Sequence, residues 1–288
     1  MKPAAFTYHR ARDVDGATRL LAELGDEAKL IAGGQSLVAM MNFRLARPRH
    51  LIDIGGLDGL DHLRTDAGGA LRVGALATHH AVHTAPPDRL GPGHAVIRDA
   101  MRWIGHLPIR TRGTVGGSLA HADATAEWCL LATLLDAELT ARGPGGRRRI
   151  AARDFFHGYY TTALEPHEML TEITFPRPAP HAALTEFAER QGDFATVSAA
   201  VSLDLADDGA LRGGRVALGG VDALPVRVPE AEEALRHGAP PGPETFARCA
   251  EAAAAAIDPP DDANGSAHYR RTLTRTLVTR ACEEAMAR

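Results

Sequence analysis

Apolar positions along the first sixty residues alternate between a helical period and runs of strand length. Val14, Ala17, Leu20, Leu21 and Leu24 fall on one helical face, with Asp13 placed to cap its start and Gly25 to stop it. A short strand is expected before it at Phe6-Thr7-Tyr8. Leu30-Ile31-Ala32 is an apolar run closed by Gly33-Gly34, after which Gln35-Ser36 leads into a second helical period at Val38, Met41 and Leu45. Ser36 therefore stands where a helix N-cap is expected. His50 to Ile54 reads as a strand, and Gly55 to Gly59 as a turn able to divide two lobes.

The next stretch alternates as Leu71-Arg72-Val73-Gly74, and Thr78 opens a helix through His83. Pro86 to Gly93 is a loop rich in breakers, Ala95 to Ile104 a helix ending at Gly105, and Thr125 to Asp136 the strongest helical pattern. Glu138 to Ala141 and Arg149-Ile150 predict a hairpin around Gly143-Pro144-Gly145-Gly146. Leu170 to Phe175 is strand-like and is closed by Pro176-Arg177-Pro178-Ala179-Pro180. Beyond that proline run come three strand-like segments, Leu184 to Glu189, Thr196 to Leu205 and Arg215 to Leu218. Three helical ones follow: Pro229 to Arg236, Pro243 to Ile257 and Ala267 to Ala287. Strands followed by helices imply a small sheet covered on one face. The expected division is a first domain over 1–177, with lobes of about 1–57 and 58–177, and an α+β domain over 178–288.

Composition narrows the chemistry. The chain has 288 residues and a formal charge of -4, so it lacks the basic footprint of a nucleic-acid binder. No apolar run reaches the length of a membrane span and the start of the chain has no signal-peptide core, which leads us to expect a cytoplasmic protein. Cys129, Cys249 and Cys282 are isolated, too few and too scattered for an iron–sulfur cluster or a disulfide framework. His79 and His83 are one helical turn apart, but without a third ligand the plain expectation is a solvated helix face. Ser36 and Ser118 sit beside glycines yet lack the G-x-S-x-G elbow, which argues against a hydrolase.

The candidate chemistry lies in two glycine loops. Gly33-Gly34 after an apolar strand leaves backbone N–H groups uncovered where a phosphate can approach them. Arg112-Gly113-Thr114-Val115-Gly116-Gly117-Ser118-Leu119 repeats that chemistry about eighty residues later, beyond the reach of one βαβ unit. Neither loop matches a P-loop or G-x-G-x-x-G. Two such loops could close on one pyrophosphate from opposite sides.

Ala32-Gly33-Gly34-Gln35-Ser36-Leu37 with Met41 and Arg44, and Thr114-Val115-Gly116-Gly117-Ser118, resemble the paired flavin loops of the FAD-binding medium subunits of molybdenum hydroxylases, the carbon monoxide dehydrogenase and xanthine dehydrogenase type. The resemblance continues through Glu168 to Ile173, Gly192-Asp193-Phe194-Ala195, Val216 to Val221 and the segment from Tyr269 to Ala281. It departs at Ala39, where proline is expected. The resemblance implies a two-lobed FAD-binding domain of the vanillyl-alcohol-oxidase/PCMH-like type, followed by a small α+β domain with a three-stranded sheet and helices. It implies an oxidoreductase with pyrophosphate contacts from Ala32, Gly33, Gly34, Gln35 and Ser36 and from Thr114, Val115, Gly116, Gly117 and Ser118. Main-chain contacts are implied at Leu30, Ile31, Leu37, Ile104 and Leu170, with Glu127 on a hydroxyl-bearing part of the cofactor. Molybdopterin and [2Fe-2S] clusters would then sit on large and small partner subunits in an assembly of two-fold symmetry. A free-standing flavoprotein oxidase and a scaffold subunit without cofactor are the two alternatives.

Overall fold

In a computed structural model that describes residues 2–236 and 238–288, the chain builds three principal sheets in succession. The first comprises Thr7–Arg10, His50–Asp53 and Ala28–Ile31 in that spatial order, all parallel. The helix Val14–Leu24 makes the crossover, its start capped by Asp13, whose Oδ1 accepts from Gly16 N at 2.6 Å. Such a cap is worth about 1 kcal/mol. Ala17 and Leu21 of this helix join Ala28, Ile52 and Leu57 in a small separate core.

The second sheet is five-stranded and antiparallel, ordered Leu63–Thr65, Leu71–Gly74, Met169–Phe175, Glu138–Gly143 and Gly146–Ala151. Against it packs the helix Glu127–Leu134, in which every residue from Trp128 to Leu134 is buried. A helix apolar all round needs cover on all sides, and it receives it from the third sheet. That sheet consists of Ala182–Phe187, Val197–Leu205, Leu211–Gly219 and Val226–Arg227. The three expected strands are present, and the two-residue Val226–Arg227 adds a fourth at the edge.

Strand alternation sorts the third sheet's side chains. Ala182, Leu184, Ala200 and Ala217 belong to the core around helix Glu127–Leu134. Ala183, Ala199, Val201, Val216 and Leu218 face the helices Pro229–Ala234, Pro243–Ala256 and Ala267–Met286 on the other side. The sheet is thus covered on both faces rather than one, because its outer face meets its own helices and its inner face meets the preceding domain.

Several local expectations are corrected. Helix Ala95–Ala100 stops four residues earlier than its pattern suggested, leaving Ile104 in a turn whose carbonyl accepts from Arg110 Nη1 at 3.0 Å. The breaker-rich loop contains a short helix, Pro87–Leu90, and the segment leading into the second glycine loop holds another, Leu107–Arg110. Pro87 and Pro108 sit in the first turns of these helices, where a missing N–H is harmless. Helix Thr125 to Asp136 contracts to Glu127–Leu134, since the Asp123 side chain holds Thr125 in a turn.

Candidate cofactor site

The strand Ala28–Ile31 delivers Leu30 and Ile31 to the lip of the first loop, and Ile31 O accepts from Ile54 N at 2.9 Å. The chain then turns through Ala32-Gly33-Gly34, with Gly34 at φ 71°, a conformation that favours glycine. Val38 N bonds to Gly34 O at 3.0 Å and starts the helix Leu37–Asn42. Among the described residues, the backbone N–H groups of Gly33, Gly34, Gln35, Ser36 and Leu37 donate to nothing in the chain. Ser36 occupies the N-cap position but with αR backbone and no capping bond, so its hydroxyl is also unengaged. The expected cap is absent because this backbone geometry turns the side chain away from the helix amides.

The second loop is bonded into the fold instead. Val115 N donates to Ala77 O at 2.9 Å and Gly116 N to Ala75 O at 2.8 Å, while Ala75 N donates to Thr171 O at 3.0 Å. Thr114 caps the helix Val115–His121 by accepting from Gly117 N at 3.1 Å. Val115 and Gly116 are buried, Gly117 is exposed and Ser118 half-buried. Leu170, next to the bulge in its strand, is brought beside this loop through the Thr171–Ala75–Gly116 chain of bonds.

The two loops touch. A Cβ on Gly33 would lie 2.0 Å from Arg112 O and 2.9 Å from Gly113 Cα, which only glycine permits. Gly116 has a different reason: its Cβ would meet Ala75 Cβ at 2.6 Å. Most free amides of the loop pair therefore belong to the first loop, while the second, in which Thr114 N alone is without an acceptor among the described residues, forms a wall around it. Five consecutive free N–H groups with an unengaged hydroxyl suit a diphosphate, the most demanding anionic part of FAD.

His79 is another correction. It is buried, not solvated: its Nδ1 accepts from Trp128 Nε1 at 3.0 Å, its N–H donates to Gly113 O at 3.0 Å, and its ring abuts Gly113. Burial lowers its pKa to about 4, so it is the neutral imidazole that supports the second loop.

From Ala122, at φ 52°, the chain enters the Asp123 turn and then Glu127, the first residue of the buried helix. Burial, with Asp123 adding repulsion, raises the Glu127 carboxyl to about 7. Sequence reasoning reached Gly192 through the resemblance but singled out neither Trp103 nor Glu186. A cleft of about 360 Å³ opens where the third sheet meets the turn after helix Ala95–Ala100, lined by Trp103, Glu186, Phe187, Arg190 and Gly192 among others. Glu186 is 9% exposed and its pKa is raised to about 9, first by burial and then by the charge of Glu127. The available signal was a carboxylate inside the otherwise buried run Ala182 to Thr185.

The model of the FAD binding domain in molybdopterin dehydrogenase matches residues 4–178, and that of the CO dehydrogenase flavoprotein C-terminal domain matches residues 182–285. The chain belongs to the FAD-binding medium subunits of the molybdenum hydroxylases. It is 38% identical to the 6-hydroxypseudooxynicotine dehydrogenase complex subunit alpha of Paenarthrobacter nicotinovorans, covering 100% of this chain and 97% of that one. Identity to the carbon monoxide dehydrogenase medium chain of Afipia carboxidovorans is 36%, over 100% and 99% of the two chains. Among solved structures, carbon monoxide dehydrogenase from Hydrogenophaga pseudoflava superposes with a TM-score of 0.94 at 34% identity, covering 100% of this chain and 99% of that one. Quinoline 2-oxidoreductase from Pseudomonas putida 86 gives 0.93 at 34% identity, with the same coverage. This medium-subunit relative is thus a flavoprotein and part of an oxidoreductase family. No helix among the described residues is long and apolar enough to cross a membrane.

Proposed function

We propose that this chain receives electrons from iron–sulfur clusters on a small partner subunit and passes them through FAD to an external acceptor. Substrate oxidation takes place at a molybdopterin centre on a large partner subunit. The observation that carries this reading is the run of free amides from Gly33 to Leu37 set against the backbone of Arg112 and Gly113. On this reading Gly33 to Ser36 hold the pyrophosphate, Gly117 and Ser118 close over it, and Leu30, Ile31, Leu37, Ile104 and Leu170 line the approach with main chain. Glu127 accepts hydrogen bonds from cofactor hydroxyls. Bound FAD supplies the exchange of one or two electrons; the protein binds and orients it.

The disposition of the cysteines supports dependence on partners. Cys129 is buried in the helix beneath the site, whereas Cys249 and Cys282 are buried in the C-terminal core, so the three thiols never converge on one cluster. The test is to express the chain alone, load it with FAD, and offer purines, aromatic heterocycles, aldehydes and carbon monoxide in air and under nitrogen. The flavin should stay oxidised with all of them and become reducible by substrate only after molybdenum and iron–sulfur chains are added. Rapid bleaching of the isolated chain by a small molecule, with reoxidation in air, would replace this reading with a free-standing oxidase.

A further inference from the structure

The seam between the first domain and the third sheet holds more polar chemistry than packing requires. Glu186 lies on the face of its strand that points at helix Glu127–Leu134: its neighbours at alternate positions, Leu184 and Ala182, are in that helix's core. Thr185, on the opposite face, bonds to Leu277 O in the C-terminal helix at 2.9 Å, which fixes the alternation. Glu186 Oε2 is buried and has no hydrogen-bond partner. The same holds for Ser198 Oγ, directly opposite Glu186 in the strand register, and for Trp103 Nε1, across the cleft that Glu186 lines. Buried polar atoms left without partners are destabilising. Two of them on residues that line one cleft, with a third beside Glu186 in the sheet, point to a polar ligand that enters there.

The charged groups facing Glu186 come from each element around it. Glu127 approaches from the start of the buried helix, with Asp123 of the preceding turn acting on Glu127, and Arg102 approaches from the turn after helix Ala95–Ala100. Arg190 lines the same cleft, and the His106 ring lies against Gly192 at its rim. Arg102 stacks over the Trp103 ring at 5.0 Å and is exposed, so it offsets little of the repulsion between buried Glu186 and half-buried Glu127.

Resting on the FAD reading above, we propose that Glu186 is a further cofactor-contacting residue, its buried and unpartnered carboxyl donating a hydrogen bond to FAD. Both carboxyls are pushed upward by burial, Glu186 further by the charge of Glu127 and Glu127 by that of Asp123, so Glu186 keeps its proton at neutral pH. A dinucleotide that already carries negative charge binds best while that proton is present. Removing it sets a second carboxylate against the ligand. FAD binding is thereby linked to proton retention.

The full chain, stripped of flavin, is titrated with FAD by fluorescence quenching from about pH 6 to about pH 10, with proton uptake read by calorimetry in two buffers of different ionisation enthalpy. Wild-type affinity should fall by about tenfold over the upper part of that range, and binding there should take up protons. E186Q, permanently neutral and of the same shape, should lose most of this slope and the proton uptake, and bind FAD about tenfold more tightly than wild type near pH 10. Thermal melts at each pH confirm that both proteins remain folded. A slope in E186Q as steep as in wild type overturns the proposal while leaving FAD binding intact. Failure of wild type to take up FAD at any pH overturns the cofactor reading and this proposal with it.

Discussion

Replacing Gly33 by alanine adds one carbon at the point where the two glycine loops meet. That carbon would stand 2.0 Å from Arg112 O and 2.6 Å from Arg112 C, both rigid backbone, whereas real Cβ contacts stay beyond 3.0 Å. The loops must therefore part by at least the difference, 3.0 minus 2.0, or 1.0 Å. Arg112 cannot yield alone, because Gly113 N and Arg112 N are both bonded to Ile109 O and Gly113 O accepts from His79 N. Displacement falls instead on the free amides from Gly33 to Leu37. Misplacing a positioned group by about 1 Å can cost about a hundredfold, which is about 3 kcal/mol of FAD affinity. Gly34→Ala is the comparison: its Cβ would lie 3.2 Å from the flexible Ile31 and Val38 side chains, and the main penalty is positive φ. That penalty is about 1 kcal/mol, or about fivefold in affinity. FAD titration of the two variants with melting curves in parallel is the assay. Gly33→Ala that binds FAD within about threefold of wild type would refute the assignment of the first loop.

Other outcomes follow from the same geometry. Ser36→Ala should leave the melting temperature unchanged, because no cap is lost, and weaken FAD by roughly ten- to a hundredfold through one charged hydrogen bond, read by titration. Gly116→Ala should reduce stability by about 1–3 kcal/mol, read by denaturant melts without cofactor, since its Cβ collides with Ala75. Thr114→Ala removes the cap on Gly117 N and should cost about 1 kcal/mol in the same melts. His79 has a folded pKa lowered from 6.5 to about 4, so its contribution is full above 6.5 and is lost as pH falls through that window. Wild type should lose about 3 kcal/mol there from this group alone, and His79→Asn should be less stable at neutral pH with a flatter acid limb.

What the sequence disclosed was whatever a local signal can carry. The Asp13 cap, the Gly25 stop and the alternation around Leu71 each act within a few residues, and the helix Val14–Leu24 and strand Leu71–Gly74 stand where those signals put them. The glycine pairs were legible as glycine pairs, but not the reasons for them. Gly33 is glycine because of Arg112 and Gly116 because of Ala75, partners remote in sequence that periodicity cannot name. His79 was misread for the same reason: its burial depends on Trp128, forty-nine positions on.

Glu186 marks the limit most sharply. The run Ala182 to Phe187 is apolar enough to read as a strand, yet whether position 186 faces helices or cofactor turns on which layer covers which face. That is decided by the helix Glu127–Leu134, whose side chains from Trp128 to Leu134 are all buried, which leaves it no solvent face and places it between two sheets. Once it is there, its first residue necessarily stands at the seam, and the sheet laid over it must present alternate side chains to the same place. Glu127 and Glu186 are therefore brought together by packing rather than by any motif. A strand register shifted by one residue would exchange Glu186 for Thr185 and leave the seam with a single carboxyl. The register is held by Ala182, Leu184 and Ala200 in the core below, so the polar chemistry of the seam is fixed by the apolar residues around it.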